Sequence, residues 1–553
     1  MNNKKVAILG LGISGVTTYT FLNQEGFTIY AWDDNLDVRE KNKHLISNFV
    51  SPENWAFKEL DFIFVSPGIS LYRPQEHFII SYAKKYKIKL CCDIDIFMSF
   101  YKGNLNKESI DRKKNNLEAP SKAADNLPKQ DIFYIGITGT NGKSTTTTLI
   151  NHILNYLNKN ACMAGNMGTA IFSERVQSFI KGLDVKPDSS ANHPLPKDIG
   201  LSNYIINSSS EIISPKTSDF LDESAARKYL SLELSSYQLS LMSTQRIQCA
   251  LILNLEPDHL EYHGDFQQYI KAKIQILKGQ VKDDLTIISQ QALSCLRGVY
   301  KEEKKIKDEL EEDKEILGKH KILTIYAEHE LSEALKSSKA IYIKANQLID
   351  NYFEKNKTVL DFSQVEKLKG AHNHQNIAFA YAAVRYALFT EVKKKSDTSN
   401  QQIIEAIKFF NSLEHRQEYV RQVKNISFIN DSKATNPQST LQALKTFDNM
   451  YLILGGIQKT DNLEVLLPFF HKVRCVFLIG KSRDLFSRIL TENNVKYSIC
   501  YDLNQAVQLA FILAQQENCP SPVVLLSPAC ASFDMFKNFQ HRGEVFKQIV
   551  SNL

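Results

Sequence analysis

The sequence has no C-x-x-C pair: its nine cysteines, at 91, 92, 162, 249, 295, 475, 500, 519 and 530, are scattered and odd in number. That pattern argues against a disulfide scaffold and a thiolate zinc cage, and it fits a reducing cytoplasm. No apolar run approaches about 18 residues, so no membrane span is expected. Charge of one sign is scarce as well. The 67 basic residues exceed the 61 acidic ones by only +6 over 553 residues, too thin a surplus for a phosphate-backbone binder, and no nucleic-acid partner is expected. No short repeat marks a solenoid. Residues 1–16 combine lysines with an apolar stretch, yet no small-residue cleavage site follows and the glycines suit a phosphate turn. This segment is therefore expected to belong to the mature fold.

What is present is apolar material for several cores: 43% hydrophobic residues, with 31 Phe and 23 Tyr. Length alone allows three or four domains at about 150 residues each. Apolar runs at 5–9, 28–32 and 61–65 end in Gly10, Asp33-Asp34 and Ser66-Pro67-Gly68. Polar residues at the ends of successive strands are the signature of parallel α/β architecture, whose ligands bind along that edge. A first α/β domain is read over 1–100, followed by a polar linker or insertion at 101–131. A central domain over 132–412 carries polar insertions near 181–228 and 300–319, the latter a solvated helix or hairpin. Strand-like runs at 426–430, 451–454, 476–479 and 523–526 place a third parallel α/β domain over 413–553.

The sharpest motif is Gly136-Ile-Thr-Gly139-Thr140-Asn141-Gly142-Lys143-Ser144-Thr145, set between a strand and a helix. Backbone amides in such a loop cradle phosphates, the lysine reaches the transferring phosphoryl group, and a hydroxyl ligates magnesium. Ile137 stands where the common pattern has its first glycine. Gly10-x-Gly12-x-x-Gly15 with Asp33 further on suits the pyrophosphate and ribose of a nicotinamide cofactor or of a sugar nucleotide, and a plain tight turn is the alternative. Glu233, ending the run 229–233, is placed to ligate magnesium at the neighbouring loop. His259, beside Asp258 at the end of the run 251–254, is read as a site residue, with a supporting or surface role as the bland reading. Spacing leaves Lys273 undecided between solvent and cleft. The segments 370–376, 414–416 and 431–436 offer amide, imidazole, guanidinium and acidic groups for a base, a ribose or phosphates. Small residues at 527–533 before a helix suit an anionic substrate, and Cys530 among them has no histidine-based triad that would make it a nucleophile.

GLGISG at 10–15, SPG at 66–68, GTNGKST at 139–145, GN at 165–166, LELSSYQL at 232–239, EPDH at 256–259, HNHQN at 372–376, EHR at 414–416, NDSKATN at 430–436 and SPACASFDMFKNFQHRG at 527–543 together resemble the Mur ligase family of peptidoglycan synthesis. The likeness covers nearly all of the chain outside the three polar stretches, and the first and last two blocks resemble its D-glutamate-adding branch. It implies an α/β protein of three successive domains: Rossmann-like at the N-terminus, P-loop ATPase-like in the centre and Rossmann-like at the C-terminus. It also implies a monomer that uses ATP, Mg2+, UDP-N-acetylmuramoyl-L-alanine and D-glutamate. By resemblance, Ile13, Ser14, Asp33, Asp34 and Ser66 hold the uridine diphosphate end, and Asn166 and His259 lie along the muramoyl part. Ser144, Glu233 and His259 serve magnesium, and Lys273 matches the lysine that is carbamylated in the family. Asn376, Arg416 and Asp431 contact the nucleotide, while Lys433, Thr435, Lys459, Ser532, Phe533 and Phe539 form the amino-acid pocket. Two departures bear on this: Asp33-Asp34-Asn35 lacks the family's basic residue, and Gly455-Gly456-Ile457-Gln458-Lys459 keeps only the lysine of a longer pattern. The competing readings are a superfamily ligase with another amino-acid or folate substrate, a nucleotide-gated regulatory protein, and a nicotinamide dehydrogenase, which leaves the Lys143 loop without work.

Overall fold

The computed structural model describes residues 4–71, 76–101, 132–166, 169–182, 227–243, 245–304, 320–334, 340–365, 367–391, 400–411, 413–458 and 463–553. The polar stretches expected at 101–131, 181–228 and 300–319 lie outside the described residues, apart from a few at their edges that belong to neighbouring helices and strands. The chain forms two compact units, Met1–Thr324 with Ala382–Asp397, and Ile325–Tyr381 with Thr398–Leu553.

In the first unit, strands β1 (Lys5–Leu9), β2 (Thr28–Trp32), β3 (Leu60–Val65) and β4 (Lys89–Cys91) form a sheet in the order β2-β1-β3-β4. All of its pairings are parallel, as the uninterrupted apolar runs anticipate for strands covered on both faces. Its carboxyl edge carries Gly10, Asp33 and Ser66. Gly15 must lack a side chain, because a Cβ there would lie 2.0 Å from the Gly10 carbonyl oxygen; helix Ile13–Gln24 therefore packs directly against the turn that precedes it.

A second sheet of the same unit is built from β5 (Ile132–Thr138), β6 (Ala161–Gly165), β7 (Lys228–Glu233), β8 (Cys249–Ile252), β9 (Leu285–Ser289) and β10 (Lys321–Tyr326), in the order β10-β9-β8-β5-β7-β6. β5 pairs in parallel with both β7 and β8. The chain leaves β5 towards β6 on one side and later returns to β8 on the other, so a crevice opens beyond the carboxyl end of β5. The two sheets share one apolar core, in which Phe172 stacks on Phe21 with centroids 4.3 Å apart and meets Phe97 at 5.7 Å.

The second unit contains β11 (Ala340–Lys344), β12 (Gln347–Asp350) and β13 (Lys357–Asp361), an antiparallel ribbon. It also contains β14 (Glu418–Val423), β15 (Ile426–Asn430), β16 (Met450–Gly455), β17 (Val473–Ile479), β18 (Tyr497–Ile499) and β19 (Val523–Leu526), arranged β14-β15-β19-β16-β17-β18. This sheet is parallel except at β14, which meets β15 antiparallel, and apolar clusters cover both faces. The departure from an all-parallel sheet has a local cause. Lys424 and Asn425 join the two strands with φ of 47° and 70°, the paired left-handed residues of a two-residue hairpin.

Candidate active site

β5 delivers Thr138 to the crevice, and the following residues turn into helix Lys143–Tyr156. Gly142 caps that helix at φ 83°, a left-handed conformation that favours glycine. The helix start presents backbone amides and a positive dipole end, the environment that binds phosphate. A frame of side chains holds the loop. Asn254 accepts from the Asn141 amide at 2.8 Å and donates back to the Asn141 carbonyl at 3.1 Å. The Thr140 hydroxyl bonds the Tyr269 hydroxyl at 2.9 Å and accepts from the Glu256 amide at 3.0 Å.

Two lysine side chains meet on one oxygen of this loop. Lys143 Nζ donates to the Gly139 and Thr140 carbonyls, both at 2.8 Å, and Lys273 Nζ reaches the same Gly139 carbonyl at 2.9 Å. Lys273 is 1% exposed and lies over the Tyr269 ring at 4.7 Å. Burial holds its pKa well below the ordinary lysine value, and the Lys143 charge lowers it further, against opposing pulls from Asp258 and Glu233. The ambiguity that spacing leaves is thus resolved: Lys273 faces the crevice.

Glu233 ends β7 on the same edge and is 2% exposed. Its Oε1 accepts from the Asn166 amide group at 3.3 Å, whereas its Oε2 is buried with no hydrogen-bond partner among the described residues. A buried carboxylate oxygen left unpaired is costly, and a hard cation is the partner that suits it. Ser144, in the first turn of the helix, is buried at 7%, and Thr145 follows it. His259 has φ 53° and caps the short helix Leu260–His263. Its half-exposed ring lies 3.5 Å from Asp258, 3.7 Å from Glu261 and 4.9 Å from the Tyr237 centroid. The neighbouring His263 is pushed down to about 4 by burial and meets the Ser236 hydroxyl at 3.0 Å, so it is neutral at neutral pH.

On the first sheet, Asp33 accepts from the Leu11 amide at 2.7 Å and from the Asn35 amide at 2.9 Å. It therefore shapes the glycine turn. Asp34 is held by the Trp32 indole at 3.0 Å and by His77 at 3.1 Å. The Ser66 amide donates to the Leu9 carbonyl at 2.9 Å, which sets the serine beside Gly10. Ile13 is 67% exposed at the mouth of the turn, and Ser14 follows it in the first turn of helix Ile13–Gln24.

In the second unit, Asp431 accepts from the Ser527 hydroxyl at 2.7 Å and the Gln417 amide at 3.1 Å. Burial raises it to about 7, opposed by those hydrogen bonds and by Arg416 and Arg542. The Asn376 amide group donates to Asn373 at 3.3 Å. Lys433 is exposed and lies over the Phe539 ring at 5.3 Å. The Thr435 amide donates to the Lys433 carbonyl at 2.8 Å. Ser532 is buried while Phe533 is 68% exposed. Lys459 lies outside the described residues. Burial pushes the Cys530 thiol up to about 11, in keeping with no nucleophilic role. Glu414, His415 and Glu544 are close enough to suggest a metal cluster, but the Lys547 ammonium sits 2.8 Å from Glu544 and 3.0 Å from Glu414.

Three residues with clear work escaped the sequence reading as site residues. Asn254 and Tyr269 frame the phosphate loop, and Arg542, fully buried, joins the Ser432 and Cys530 segments through bonds of 2.8 to 3.1 Å. The sequence signal for Asn254 is a polar residue directly after an apolar run, and Arg542 falls within the block at 527–543 without a role of its own being read there; Tyr269 carries no such signal.

Comparison with known proteins matches residues 4–89 to the Mur ligase MurD-like N-terminal domain, 137–384 to the Mur ligase middle domain and 415–530 to the Mur ligase glutamate ligase domain. The UDP-N-acetylmuramoylalanine--D-glutamate ligase of Rickettsia bellii is 30% identical, over 100% of this chain and 98% of that protein. The enzyme of the same name from Rhodospirillum rubrum is 31% identical, over 99% and 94%. Among solved structures, UDP-N-acetylmuramate-alanine ligase MurC from Thermotoga maritima aligns over 99% of each chain at 16% identity, with a TM-score of 0.47.

Proposed function

This chain belongs to the Mur ligase family, and from that premise we propose that it joins D-glutamate to UDP-N-acetylmuramoyl-L-alanine at the expense of ATP. The observation that carries the reading is the convergence at the carboxyl edge of the second sheet. A phosphate loop with Lys143, a buried carboxylate oxygen of Glu233 without a partner among the described residues, and the buried Lys273 meet there. Dehydrogenase chemistry has no use for that set.

In the proposed reaction, the L-alanyl carboxylate attacks the γ-phosphorus of ATP. The new C–O–P linkage forms as the bond to the β-phosphate oxygen breaks, leaving an acyl phosphate and ADP. The D-glutamate amine then attacks the acyl carbon, loses a proton, and expels inorganic phosphate. Lys143 and the loop amides stabilise charge on the transferring phosphoryl oxygens once Lys143 leaves the Gly139 and Thr140 carbonyls for the ligand. The Glu233 Oε2, Ser144 and His259 are the groups that would hold Mg2+, which supplies charge neutralisation for the phosphates. Lys273 is proposed to act as its carbamate, formed when the uncharged amine adds to carbon dioxide and loses a proton: burial disfavours the ammonium form, and the anionic product would be drawn to Lys143 rather than repelled by it. Asn166 and the glycine turn with Ile13, Ser14, Asp33, Asp34 and Ser66 are assigned to the sugar nucleotide. Asn376, Arg416 and Asp431 are assigned to the nucleotide. Lys433, Thr435, Lys459, Ser532, Phe533 and Phe539 are assigned to D-glutamate. A monomer located in the cytoplasm accompanies this reading.

The deciding experiment follows ADP release with UDP-N-acetylmuramoyl-L-alanine present and D-glutamate added or withheld. Ligation requires release that depends on both, with a panel of L-alanine, meso-diaminopimelate and D-alanyl-D-alanine inert in place of D-glutamate. ATP turnover indifferent to either substrate refutes the proposal. Lys143→Ala should abolish product formation while the protein stays folded.

A further inference from the structure

Leu255 lies three residues beyond the end of β8 and is 1% exposed. Its side chain belongs to the apolar core, so its backbone amide and carbonyl leave water with it and need partners. One side chain supplies both. Gln291, in the first turn of helix Gln290–Lys304 and two residues after β9, accepts from the Leu255 amide through Oε1 at 3.0 Å and donates from Nε2 to the Leu255 carbonyl at 2.6 Å. The Cys295 thiol, one turn along the same helix, lies 3.7 Å from that carbonyl. The residues on either side of Leu255 grip the phosphate loop. The Asn254 carbonyl accepts from the Thr140 amide at 3.0 Å, and its side chain holds both backbone groups of Asn141. The Glu256 amide donates to the Thr140 hydroxyl at 3.0 Å, and its carboxylate accepts from the Asn141 side chain at 3.1 Å. The segment 254–256 is thus fastened to the helix after β9 by its middle residue and to the phosphate loop by its outer two.

We infer that Gln291 is a positioning residue for ATP: acting through Leu255, it fixes the segment against which the phosphate loop is set and so keeps the loop amides aimed at the phosphates. The inference rests on the proposed assignment of the loop at 139–145 to ATP. Gln248 provides a matched control. It is half-buried like Gln291 and uses the same chemistry, accepting from the Tyr134 amide at 3.0 Å and donating to the Ile132 carbonyl at 3.4 Å. Those partners stand at the amino end of β5, the end away from the phosphate loop.

The test compares Gln291→Met, Gln291→Glu, Gln248→Met and the pair Asn254→Ala with Gln291→Met in the full-length enzyme. The readouts are the equilibrium Kd for ATP, KM for UDP-N-acetylmuramoyl-L-alanine, and Tm. Gln291→Met keeps the length of the side chain and removes both bonds; it should raise Kd for ATP about five-fold and leave KM for the sugar nucleotide within about two-fold of wild type. Gln291→Glu keeps the acceptor for the Leu255 amide and loses the donor to its carbonyl. It should raise the same Kd, which keeps the idea testable where Gln291→Met does not fold. Gln248→Met should lower Tm as Gln291→Met does while leaving Kd for ATP within about two-fold. In the double variant, Kd should rise by less than the product of the two single rises, because both side chains act through one segment. An unchanged Kd in both Gln291 variants, an equal rise in Gln248→Met, or a fully multiplicative double variant overturns the inference. Absence of ligation by a wild-type enzyme that binds ATP overturns the proposed function instead.

Discussion

Arg542 offers the most quantitative test of how the second unit is held together. Its guanidinium is fully buried and makes four hydrogen bonds to three acceptors: Nε to the Ser432 hydroxyl at 2.9 Å, Nη2 to the Ser432 carbonyl at 2.8 Å, and Nη1 and Nη2 to the Cys530 carbonyl, each at 3.1 Å. Burial lowers its pKa only to about 10, so the group stays charged at neutral pH. Methionine at 542 keeps much of the volume but removes every donor. Two buried carbonyls and a hydroxyl then lose a charged partner, and each such loss costs about 1–3 kcal/mol. The arginine's own desolvation penalty is relieved at the same time, which leaves a net cost on the order of 3–5 kcal/mol. The effect should stay in its own unit, and the chain supplies the probe. Its two tryptophans, Trp32 and Trp55, are both in the first unit. In Arg542→Met the far-UV circular dichroism transition in urea should move to lower denaturant, while the tryptophan fluorescence transition stays in place. Functionally, Ser432 and Cys530 border the segments assigned to D-glutamate, so KM for D-glutamate should rise. Arg542→Lys should recover little, because one ammonium cannot span both segments. Unchanged unfolding by circular dichroism together with a wild-type KM for D-glutamate would refute the reasoning.

Asp431 makes stability depend on pH. Burial raises it from 3.8 to about 7, so its contribution is complete below about pH 4 and is lost as pH rises through about 7. Wild type should therefore lose stability relative to Asp431→Asn over that window in parallel melts, and a pH-independent gap contradicts the assigned shift. His263, pushed down to about 4, works in the opposite sense: its contribution is present above about 6.5 and lost as pH falls through about 4, so His263→Asn should flatten the acid limb of the melting curve. Stripping bicarbonate at mildly acidic pH should depress turnover if Lys273 works as its carbamate, and small carboxylates should restore part of the rate to Lys273→Ala; indifference to both would leave Lys273 an ordinary buried amine. Asn254→Ala removes both bonds that hold Asn141 and should raise KM for ATP about ten-fold without changing affinity for the sugar nucleotide, a split that initial-rate kinetics at saturating partner substrates can read.

What was legible in the sequence is what local chemistry dictates. The turn at Gly142 needs a left-handed residue, the strand before it reads as an apolar run, and the helix after it exposes amides, so three adjacent requirements agree on one feature. The same holds for the glycine turn at 10–15 and for Glu233 at a strand end. The bonds of Asn254 to Asn141 and of Arg542 to Ser432 were not legible, because each spans more than a hundred positions, and side-chain reach across a fold leaves no trace in spacing. The antiparallel pairings at β11–β12 and β14–β15 escaped for a different reason. Their turns use Ala345-Asn346 and Lys424-Asn425 at positive φ, without the glycine that signals such hairpins. Lys273 shows how these limits connect. Its spacing in the helix leaves a lysine undecided between solvent and crevice, although burying an ammonium is unfavourable. The fold buries it anyway, beside Lys143 and on a carbonyl already bonded to Lys143. Two amino groups sharing one acceptor is an arrangement that disfavours a full charge on both, in keeping with the lowered pKa of Lys273. The burial that spacing left undecided for Lys273 is therefore the same feature that makes its amine chemically distinctive.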